Sequence, residues 1–490
     1  MFEAVELHKK IAKDLFTQEV ESLRTELLRV QEAIREQGIP VVVIISGVEG
    51  AGKSEVVNRL NEWLDSRWVR NHAFWDETDE ERMRPFQWRF WRAMPPQGTM
   101  AVMFGSWYTQ PIIRHALGDW DDDRLDAEMG LIEQLERMLC DDGAVVIKFW
   151  FHLSSQAQQR RIEGKNKRRV GKLAKKFAKS YDNFAGTSAR AIRLTDSGQA
   201  PWYLIDAEDR RYRDLKAGKL LLMALQEALA AKKSAGTGSK AKVHSRTSSP
   251  LSGKSVLDSV DVERTIDDKE YRRQLKKYQD RLYKLSWKAH NAQRSVVLLF
   301  EGWDAGGKGG NIRRLTSAMD ARLYSVISVA APTDEEKAHH YLWRFWHHLP
   351  RDGYVTIYDR TWYGRVLVER VEGFAALAEW SRAYREINDF EEQLHRHGTV
   401  LAKFWIHITQ EEQLRRFKER EITPWKQYKI TEEDWRNRQR WGDYAQAITD
   451  MVEKTSTTHA PWTLVPGNDK RVARLEVIKT VCRRLEQALG

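Results

Sequence analysis

The pattern of apolar and polar positions divides the chain into alternating helical and strand-like segments. Residues 5–37 place leucine, isoleucine and valine at three- and four-residue spacings, which predicts a helix with one buried face. Short apolar runs follow at 41–45, 100–104, 145–151 and 202–205, with helical patterns between them. Strands that alternate with helices predict a parallel sheet covered on both faces, with ligands at the carboxyl ends of the strands.

The same series of elements starts again near residue 296, where the apolar run 296–300 leads into a glycine-rich loop. Landmark residues in the two halves keep one spacing, 255 residues (308 − 53 = 255). The pairs with this offset are Lys53 and Lys308, Trp88 and Trp343, Pro95 and Pro350, Trp107 and Trp362, Lys148 and Lys403, His152 and His407, and Arg160 and Arg415. A late insertion raises the offset to 260, which pairs Trp202 with Trp462 (462 − 202 = 260). The sequence therefore predicts two tandem copies of one α/β domain.

The boundaries follow from composition. We predict a first copy over residues 1–230 and a second copy over residues 260–490. Residues 231–259 are rich in Ser, Gly and Lys and have few large apolar residues. This composition predicts a flexible, exposed and basic linker.

Overall composition narrows the class of protein. Hydrophobic residues make up 41% of the chain, as in folded proteins, and the two cysteines offer no disulfide framework. The N-terminus lacks the apolar core of a signal peptide, and no apolar run approaches the roughly 18 residues that span a membrane. We expect a cytoplasmic protein with no membrane partner.

The net charge of +11 suits an anionic ligand. Residues 231–255 carry six of the Lys and Arg residues and no acid, so about half of the excess is local to the linker. A basic scaffold that binds nucleic acid is one alternative, but the sequence contains no recognised nucleic-acid module. We therefore expect no nucleic-acid partner.

Both copies place a glycine-rich loop between their first strand and a helix, which is the context of a phosphate-binding P-loop. The second copy reads EGWDAGGKGG, with Lys308 among Gly302, Gly306, Gly307 and Gly309. Such glycines let successive backbone N–H groups face one anion, and the helix N-terminus adds partial positive charge. Gly309 stands where Ser or Thr usually holds Mg²⁺, and Asp304 inside the loop is placed to take that role. The alternative is a glycine-rich turn that merely joins strand to helix.

A second phosphate-related motif follows the strand 355–358. Asp359 ends this strand, in the position of a Walker B acid able to hold Mg²⁺. Arg360 and Arg365 follow within YDRTWYGR, and guanidinium groups bind phosphate oxygens in forked geometry. The first copy reads MFGSWYTQ here and lacks all three side chains, although its loop, GVEGAGKS, has the ordinary Walker A spacing. We therefore predict that the second copy is catalytic and the first degenerate.

Residues 415–441, here called the lid segment, mix many basic residues with acids, tryptophans and a Thr-Pro break. They follow the KFWIH strand, where nucleoside-phosphate kinases place a mobile lid that excludes water. The alternative is a pair of exposed charged helices. The first copy keeps a basic segment at 164–180 without acids or tryptophan.

Taken in order, EGWDAGGKGG, WRFWHHLP, YDRTWYGRVLVERV, KFWIH, TPWK and HAPW resemble the motif series of the polyphosphate kinase 2 family. The duplication resembles the two-domain members of that family. The resemblance implies a P-loop kinase sandwich similar to thymidylate kinase, in which inorganic polyphosphate is the phosphoryl donor to a nucleotide. In two-domain members that acceptor is AMP.

The resemblance also implies roles for individual residues. Asp304 and Asp359 become the magnesium-binding and catalytic acids, and Lys308 and Arg360 become phosphate ligands in the transfer site. The further phosphate ligands that it implies are Arg365, Lys426 and the loop glycines Gly302, Gly306, Gly307 and Gly309.

The resulting hypothesis is an Mg²⁺-dependent transfer of the terminal phosphoryl group of polyphosphate to AMP, giving ADP. Three alternatives remain: ADP or GDP as the acceptor, an ATP-dependent kinase, and a basic scaffold in which both loops are relics. We also expect the two copies to pack as an internal pseudo-dimer, and the chain to be able to form homo-oligomers.

Overall fold

A computed structural model of the protein describes residues 1–163, 180–237 and 255–490. The chain forms two compact units. The first unit comprises residues 1–77, 89–242 and 334–340, and the second unit comprises residues 78–88, 243–333 and 341–490. The units therefore differ from the two continuous domains predicted from the sequence by the short segments 78–88 and 334–340.

Each unit contains a parallel five-stranded sheet. The strands of the first unit are β1 (Val41–Gly47), β2 (Val69–Ala73), β3 (Met100–Phe104), β4 (Val145–His152) and β5 (Trp202–Asp206), in the order β2-β3-β1-β4-β5. The strands of the second unit are β6 (Val296–Gly302), β7 (Tyr324–Ser328), β8 (Val355–Asp359), β9 (Val400–His407) and β10 (Trp462–Pro466), in the order β7-β8-β6-β9-β10. The two orders are the same, which confirms the predicted tandem α/β sandwiches with parallel sheets.

Helices connect these strands. From the N-terminus they are α1 (Lys13–Glu36), α2 (Lys53–Trp63), α3 (Asp79–Arg82), α4 (Trp88–Trp91), α5 (Thr109–Ala116), α6 (Asp122–Asp141), α7 (Ser155–Glu163), α8 (Tyr181–Thr195) and α9 (Arg210–Thr237). Later in the chain they are α10 (Asp268–Asn291), α11 (Lys308–Thr316), α12 (Asp334–Lys337), α13 (Trp343–Trp346), α14 (Val368–Val371), α15 (Leu377–Arg396), α16 (Gln410–Ile422), α17 (Glu432–Gln439), α18 (Trp441–Thr455) and α19 (Lys470–Leu489). Among the described residues, no helix is long and apolar enough to cross a membrane.

The edge strands β2 and β7 are absent from the prediction, which gave four strands to each copy. Each pairs with one neighbour only, and most of its side chains lie at the surface or half-buried. A strand in that position does not need the continuous apolar run by which the buried strands are recognised. Its sequence, VRNHA in β2, therefore gave no strand signal.

The predicted first helix, 5–37, begins later than its periodicity suggested. Residues Phe2–Val5 form a 3₁₀ turn, and α1 begins only at Lys13. The intervening chain is held in a non-helical form because the backbone N–H of His8 donates to Asp206, 2.9 Å away. Leu7 and Leu15, which contributed to the pattern, are about half exposed.

Regular structure extends into the predicted linker, 231–259, from both sides. Helix α9 continues to Thr237, and a 3₁₀ turn occupies Val256–Ser259 with Leu257 buried. Residues 238–254, and with them most of the linker prediction, lie outside the described residues.

The core of the second unit is formed where one face of the sheet meets α10 and α19. The buried side chains include Val296, Leu298 and Phe300 on β6, Ile357 on β8, Ala402 and Phe404 on β9, Leu282 on α10, and Val477 and Val481 on α19. Burial of such apolar surface is the main term that favours folding. It fixes β6 at the centre of the sheet, with its carboxyl end leading into the P-loop.

A buried ion pair ties the turn after β8 to the sheet. Lys403 on β9 and Glu391 on α15 are fully buried, and their side chains lie 2.7 Å apart. Glu391 also accepts hydrogen bonds from the Trp362 indole, at 3.1 Å, and the Tyr363 hydroxyl, at 2.7 Å. The Lys403 ammonium donates in addition to the Thr455 carbonyl, 2.7 Å away. Every charge in this network thus has hydrogen-bonding partners, which a buried ion pair requires.

The first unit contains the same network. Lys148 lies 2.6 Å from Glu136, and Glu136 accepts from Trp107 and Tyr108 at 3.0 and 2.6 Å. This copy lacks the acid and the arginines that follow β8 in the other, yet keeps the network complete. The tryptophan and tyrosine shared by the copies therefore serve the fold.

Replacing Lys403 by methionine leaves the Glu391 carboxylate buried without its counter-charge. We expect Lys403→Met to lower the free energy of unfolding by about 3–5 kcal/mol, the usual cost of breaking a buried pair from one side. Differential scanning calorimetry of the intact protein would show the transition of the second unit at lower temperature. Lys148→Met is the matched control and should lower the other transition. If neither variant lowers the Tm of its transition by more than a degree, the two Lys–Glu pairs do not stabilise their units.

Candidate active site

The P-loop lies between the central strand β6 and helix α11. The chain leaves β6 at Gly302 and enters α11 at Lys308, whose ammonium donates to the Gly302 carbonyl at 2.7 Å. Gly307, with φ of 109°, caps the helix in a conformation that favours glycine. A Cβ on Gly306 would lie 2.8 Å from the Trp303 carbonyl oxygen. The first N–H groups of α11 have no intrahelical acceptor, so this loop presents donors and a positive helix end to an anion.

The loop is held from behind by Arg416, a buried residue of α16. Its guanidinium donates to the carbonyls of Ala305 and Gly306, each at 2.9 Å. It also donates to the carbonyls of Gly467 and Asn468 after β10, at 2.6 and 3.0 Å. Bonds to carbonyl oxygens on one side of the loop leave its N–H groups directed to the other side.

Arg161 forms the same clamp in the first unit, with the carbonyls of Gly50, Ala207 and Glu208 at 2.8, 2.6 and 2.7 Å. The sequence analysis placed Arg416 in the lid segment because of its position among other basic residues. In the structure it supports the P-loop instead. The constant spacing of Arg161 and Arg416 relative to the two loop lysines was the available signal.

The Walker B motif lies beside the P-loop because β8 pairs with β6. Asp359, the last residue of β8, is paired with Phe300, and the N–H of Arg360 donates to the Phe300 carbonyl at 3.1 Å. The Arg360 guanidinium lies 3.8 Å from the Asp304 carboxylate. Burial lowers the pKa of Arg360, but the surrounding carboxylates, Asp304 first among them, outweigh burial and raise it above its usual value. The structure thus brings Asp304, Asp359 and Arg360 to the end of the sheet where Lys308 lies.

Two residues of this site have left-handed backbone conformations that glycine would adopt more easily. Ala305 has φ of 60° and Arg360 has φ of 65°. The corresponding positions of the first copy are Gly50 and Gly105, with φ of 83° and 76°. A non-glycine residue in this region costs of order 1 kcal/mol, and such strain is found mainly at functional sites. At Arg360, the second copy therefore keeps a non-glycine side chain despite the energetic cost of the left-handed backbone.

Glu301 is a buried carboxylate that the sequence analysis did not single out. It lies on β6, one residue before the end of the strand, is 6% exposed and accepts a hydrogen bond of 2.8 Å from the Thr361 hydroxyl. Burial raises its pKa, while the charges of Lys308 and Arg360 oppose that increase. The first copy has Ser46 at this position. The available signal was therefore an acid that the first copy lacks, as it lacks Asp359, whereas the Asp304 position keeps an acid as Glu49.

The lid segment comprises the part of α16 from residue 415 onward, the 3₁₀ turn Pro424–Lys429, α17 and the first residue of α18. Helix α17 packs on α16 through an edge-to-face contact between Trp435 and Phe417, with ring centroids 5.1 Å apart. The Arg438 guanidinium donates to the Gln410 carbonyl at 2.6 Å. The corresponding basic segment of the first copy, 164–180, lies almost wholly outside the described residues.

Other predicted ligands are engaged elsewhere in the structure. Arg365 lies 3.2 Å from Glu369 and 4.6 Å from the centre of the Tyr341 ring. The Lys426 ammonium lies 2.6 Å from Glu419 on α16. A Cβ on Gly309 would meet no atom within 4 Å, so packing does not require glycine there. Neither Arg365 nor Lys426 has a described contact with Asp304, Lys308 or Arg360, and the roles of these two residues and of Gly309 as phosphate ligands stay predictions.

The P-loop of the first unit keeps its lysine in another environment. Lys53 donates to the Gly47 carbonyl at 2.8 Å and lies 3.4 Å from Glu49. A Cβ on Gly52 would meet the buried Arg213 guanidinium at 1.7 Å, and this arginine donates to the Ala51 carbonyl at 3.0 Å. The loop is thus folded and supported, although the acids and the arginine of the other copy are absent.

The acids of the second unit suit a magnesium ion that is shared with a phosphate substrate. Among the described residues, no group of three or more His, Cys, Asp or Glu side chains could hold a metal ion alone. Mg²⁺ usually takes one or two carboxylates and completes its shell with water and phosphate oxygens. Asp304 and Asp359, two carboxylates beside a P-loop, match that chemistry.

The strain at Arg360 can be measured by comparing two substitutions. We expect Arg360→Gly to unfold at a higher temperature than Arg360→Ala, because glycine removes the left-handed strain and alanine keeps it. A gain of about 1 kcal/mol raises Tm by roughly 2–4 °C in a domain of this size. Because both variants lack the guanidinium, the difference between their Tm values in calorimetry reports the backbone strain alone. Equal Tm values would mean that the turn carries no strain.

Comparison with known proteins supports a family assignment. The family model described as polyphosphate kinase 2 matches residues 10–233 and 265–489. A polyphosphate:AMP phosphotransferase from Pseudomonas aeruginosa PAO1 is 47% identical, over 100% of this chain and 99% of that protein. A polyphosphate:AMP phosphotransferase from Acinetobacter johnsonii is 37% identical, over 95% of this chain and 96% of its own length.

A solved structure gives the same result. The crystal structure described as a putative polyphosphate kinase 2 from Pseudomonas aeruginosa PA01 superposes with a TM-score of 0.89 at 46% identity. It covers 100% of this chain and 99% of that one. The family model matches both copies, and the similarity to full-length relatives includes the first copy as well as the second. The chain therefore belongs to the polyphosphate kinase 2 family, as a member with two tandem family domains.

Proposed function

We propose that this protein transfers the terminal phosphoryl group of inorganic polyphosphate to AMP, giving ADP, and that the second copy carries out the transfer. The observation that carries the proposal is the gathering of Lys308, Asp304, Asp359 and Arg360 at the carboxyl end of one sheet. The full-length relatives described above are named polyphosphate:AMP phosphotransferases. This name is the reason for choosing AMP as the acceptor.

In the proposed reaction a phosphate oxygen of AMP attacks the terminal phosphorus of polyphosphate. The new P–O–P bond forms as the bond to the next phosphate breaks, and the shortened polyphosphate leaves with that electron pair. The AMP phosphate is already ionised near neutral pH, so the step does not need a strong general base. Lys308 and Arg360 neutralise the charge that spreads over the transferred group, and the N–H groups of the P-loop bind its oxygens.

Asp304 and Asp359 are the residues that would hold Mg²⁺. When bound, the ion supplies positive charge to the phosphate oxygens. Glu301, a buried carboxylate of β6, is one of the acids that raise the pKa of Arg360 and so favour its charged form. Arg365, Lys426 and the loop glycines complete the phosphate contacts in this proposal, and Lys426 then exchanges Glu419 for substrate.

Several expectations accompany this proposal. The first copy is non-catalytic, because it lacks counterparts of Glu301, Asp359 and Arg360 and has Glu49 in place of Asp304. The expected partners are polyphosphate, AMP and ADP, with neither nucleic acid nor membrane. Packing of the copies as an internal pseudo-dimer, homo-oligomer formation and a cytoplasmic location stay predictions.

The acceptor is tested by a transfer assay with purified protein, Mg²⁺ and polyphosphate. AMP, ADP, GMP and GDP are offered separately, products are resolved by chromatography, and ATP serves as a control donor. We expect ADP from AMP and little triphosphate from ADP. Triphosphate as the main product would keep the family and change the acceptor to a nucleoside diphosphate, which appears in the names of relatives called ADP- and NDP-polyphosphate phosphotransferases. Transfer from ATP alone would overturn the choice of donor.

The assignment of catalysis to the second copy is tested by a matched pair of loop variants. We expect Lys308→Met to lower kcat by at least a hundredfold, since a preorganised charge at the transferred group contributes roughly 3 kcal/mol or more to the rate. Lys53→Met removes the equivalent lysine of the first copy and should keep wild-type kcat. Equal losses would mean that both copies take part in turnover. Circular dichroism and Tm would verify that both variants are folded.

A further inference from the structure

Asp304 is the only one of the proposed metal-binding pair with a side-chain bond to the lid segment among the described residues. The Asn437 amide, on α17, donates to one carboxylate oxygen of Asp304 at 3.0 Å. The other oxygen of Asp304 is the one that faces Arg360. The Asp304 backbone is fixed as well, because its carbonyl accepts from Gln413 at 3.2 Å. Backbone and side chain of this acid are therefore held by different elements.

The orientation of the Asn437 amide follows from its second partner. The Tyr444 hydroxyl lies 3.2 Å from the Asn437 carbonyl oxygen and 3.4 Å from Glu372. A carboxylate only accepts hydrogen bonds, so the amide nitrogen must be the end that faces Asp304. The carbonyl end is then directed to the hydroxyl.

Helix α17 is a rigid support for this contact because it is anchored at several points. Glu372, with a side chain 8% exposed, lies 3.0 Å from Arg436 and 3.5 Å from Arg440. Behind Asp304, Trp303 stacks on Trp441, with ring centroids 3.6 Å apart and planes within 6°. The carboxyl-terminal part of the helix that carries Asn437 is thus tied to Glu372, and the P-loop residue beside Asp304 stacks on the helix that follows.

We propose that Asn437 is a positioning residue that holds the Asp304 carboxylate in the orientation needed to bind the divalent cation. The inference rests on the proposed role of Asp304 as a metal ligand. One carboxylate oxygen is occupied by the amide, so the other is presented to the cation and to Arg360. A rotating carboxylate would have to be ordered each time the cation binds, and Asn437 removes that cost in advance.

The proposal also gives the lid segment a function in the absence of substrate. The contact joins α17 to the loop that cradles phosphate, so displacement of α17 releases Asp304. When α17 packs against the P-loop, the same contact therefore holds Asp304 in its metal-binding orientation. Residues that touch no substrate, Asn437 and Tyr444, thereby contribute to turnover.

The test uses Asn437→Leu, which keeps the volume and removes the amide, in the full-length protein. Mn²⁺ binding to the free protein is measured by electron paramagnetic resonance, and kcat and KM are measured with Mg²⁺, polyphosphate and AMP. We expect Mn²⁺ affinity and kcat each to fall roughly tenfold, the usual effect of removing a residue that orients a metal ligand. KM for both substrates and Tm should stay near wild type. Asn437→Gln, which keeps an amide donor, should restore part of the loss.

Two further variants make the outcome decisive. Gln439→Leu changes an exposed residue of the same helix and should behave as wild type. Asn437→Leu added to Asp304→Asn should weaken Mn²⁺ binding no more than Asp304→Asn alone, because Asn437 acts through Asp304.

Three results would overturn the inference: wild-type Mn²⁺ affinity in Asn437→Leu, additive losses in the double variant, or a loss of kcat that follows a fall in Tm. If Asp304→Asn itself binds Mn²⁺ as the wild type does, the proposed metal role of Asp304 fails, and the inference fails with it. Failure at Asn437 alone leaves the proposed function standing. The two failures are therefore distinguished by the single Asp304 variant.

Discussion

The buried pair of Lys403 and Glu391 is the interaction on which the active-site geometry depends. It joins the strand β9, the helix α15 and the turn after β8 in the interior, where an unpaired charge would be very costly. The turn that it holds through Trp362 and Tyr363 begins two residues after Arg360. A site built from the ends of two strands needs such a fixed point, because the pairing of β8 with β6 ends at Asp359, before Arg360 and the turn that follows.

The two copies separate what the fold requires from what the chemistry requires. The Lys–Glu network and an arginine that binds the carbonyls of the P-loop and of the turn after the last strand occur in both units. Glu301, Asp359 and Arg360 occur in the second copy alone, where the first has serine, phenylalanine and glycine, while the Asp304 position keeps an acid as Glu49. This difference is expected if the residues needed for folding and the residues needed for catalysis are under separate constraints.

At Arg360 the backbone conformation is shared by the two copies, but the residue that suits it is found only in the first copy. The first copy has the residue best suited to the conformation, Gly105, while the second has a residue that must be forced into it. A β-turn that requires positive φ does not by itself select arginine, so another requirement must act on the side chain. The guanidinium beside Asp304 meets that requirement.

Much of the architecture could be predicted from the sequence because its signals are local or periodic. Buried strands are continuous apolar runs, and the constant offset reveals the duplication without any knowledge of contacts. The edge strands β2 and β7 gave no such run, and the late start of α1 depends on a bond between His8 and Asp206, nearly two hundred positions apart. Contacts of that kind have no local signature.

In the candidate site, too, residues in local motifs could be predicted, whereas residues whose roles depend on distant contacts could not. Lys308, Asp304 and Asp359 could be recognised because each follows a strand in a known type of motif. Arg416 and Asn437 belong to one charged segment, in which composition gives no indication of where a side chain points. The structure directs Arg416 to loop carbonyls and Asn437 to a carboxylate, while Lys426 of the same segment pairs with Glu419.

This distribution bears on how the lid segment works. Of its polar residues, Arg416 binds only backbone atoms and the neighbouring Glu412, and cannot leave without dismantling the P-loop. Asn437 makes one bond to the site and one to Tyr444, so it can be withdrawn without breaking the loop. Between them the 3₁₀ turn exposes Trp425 and Tyr428 to about three-quarters of their surface. A lid that opens would therefore pivot beyond α16, carry α17 away from Asp304, and leave the phosphate-binding loop intact.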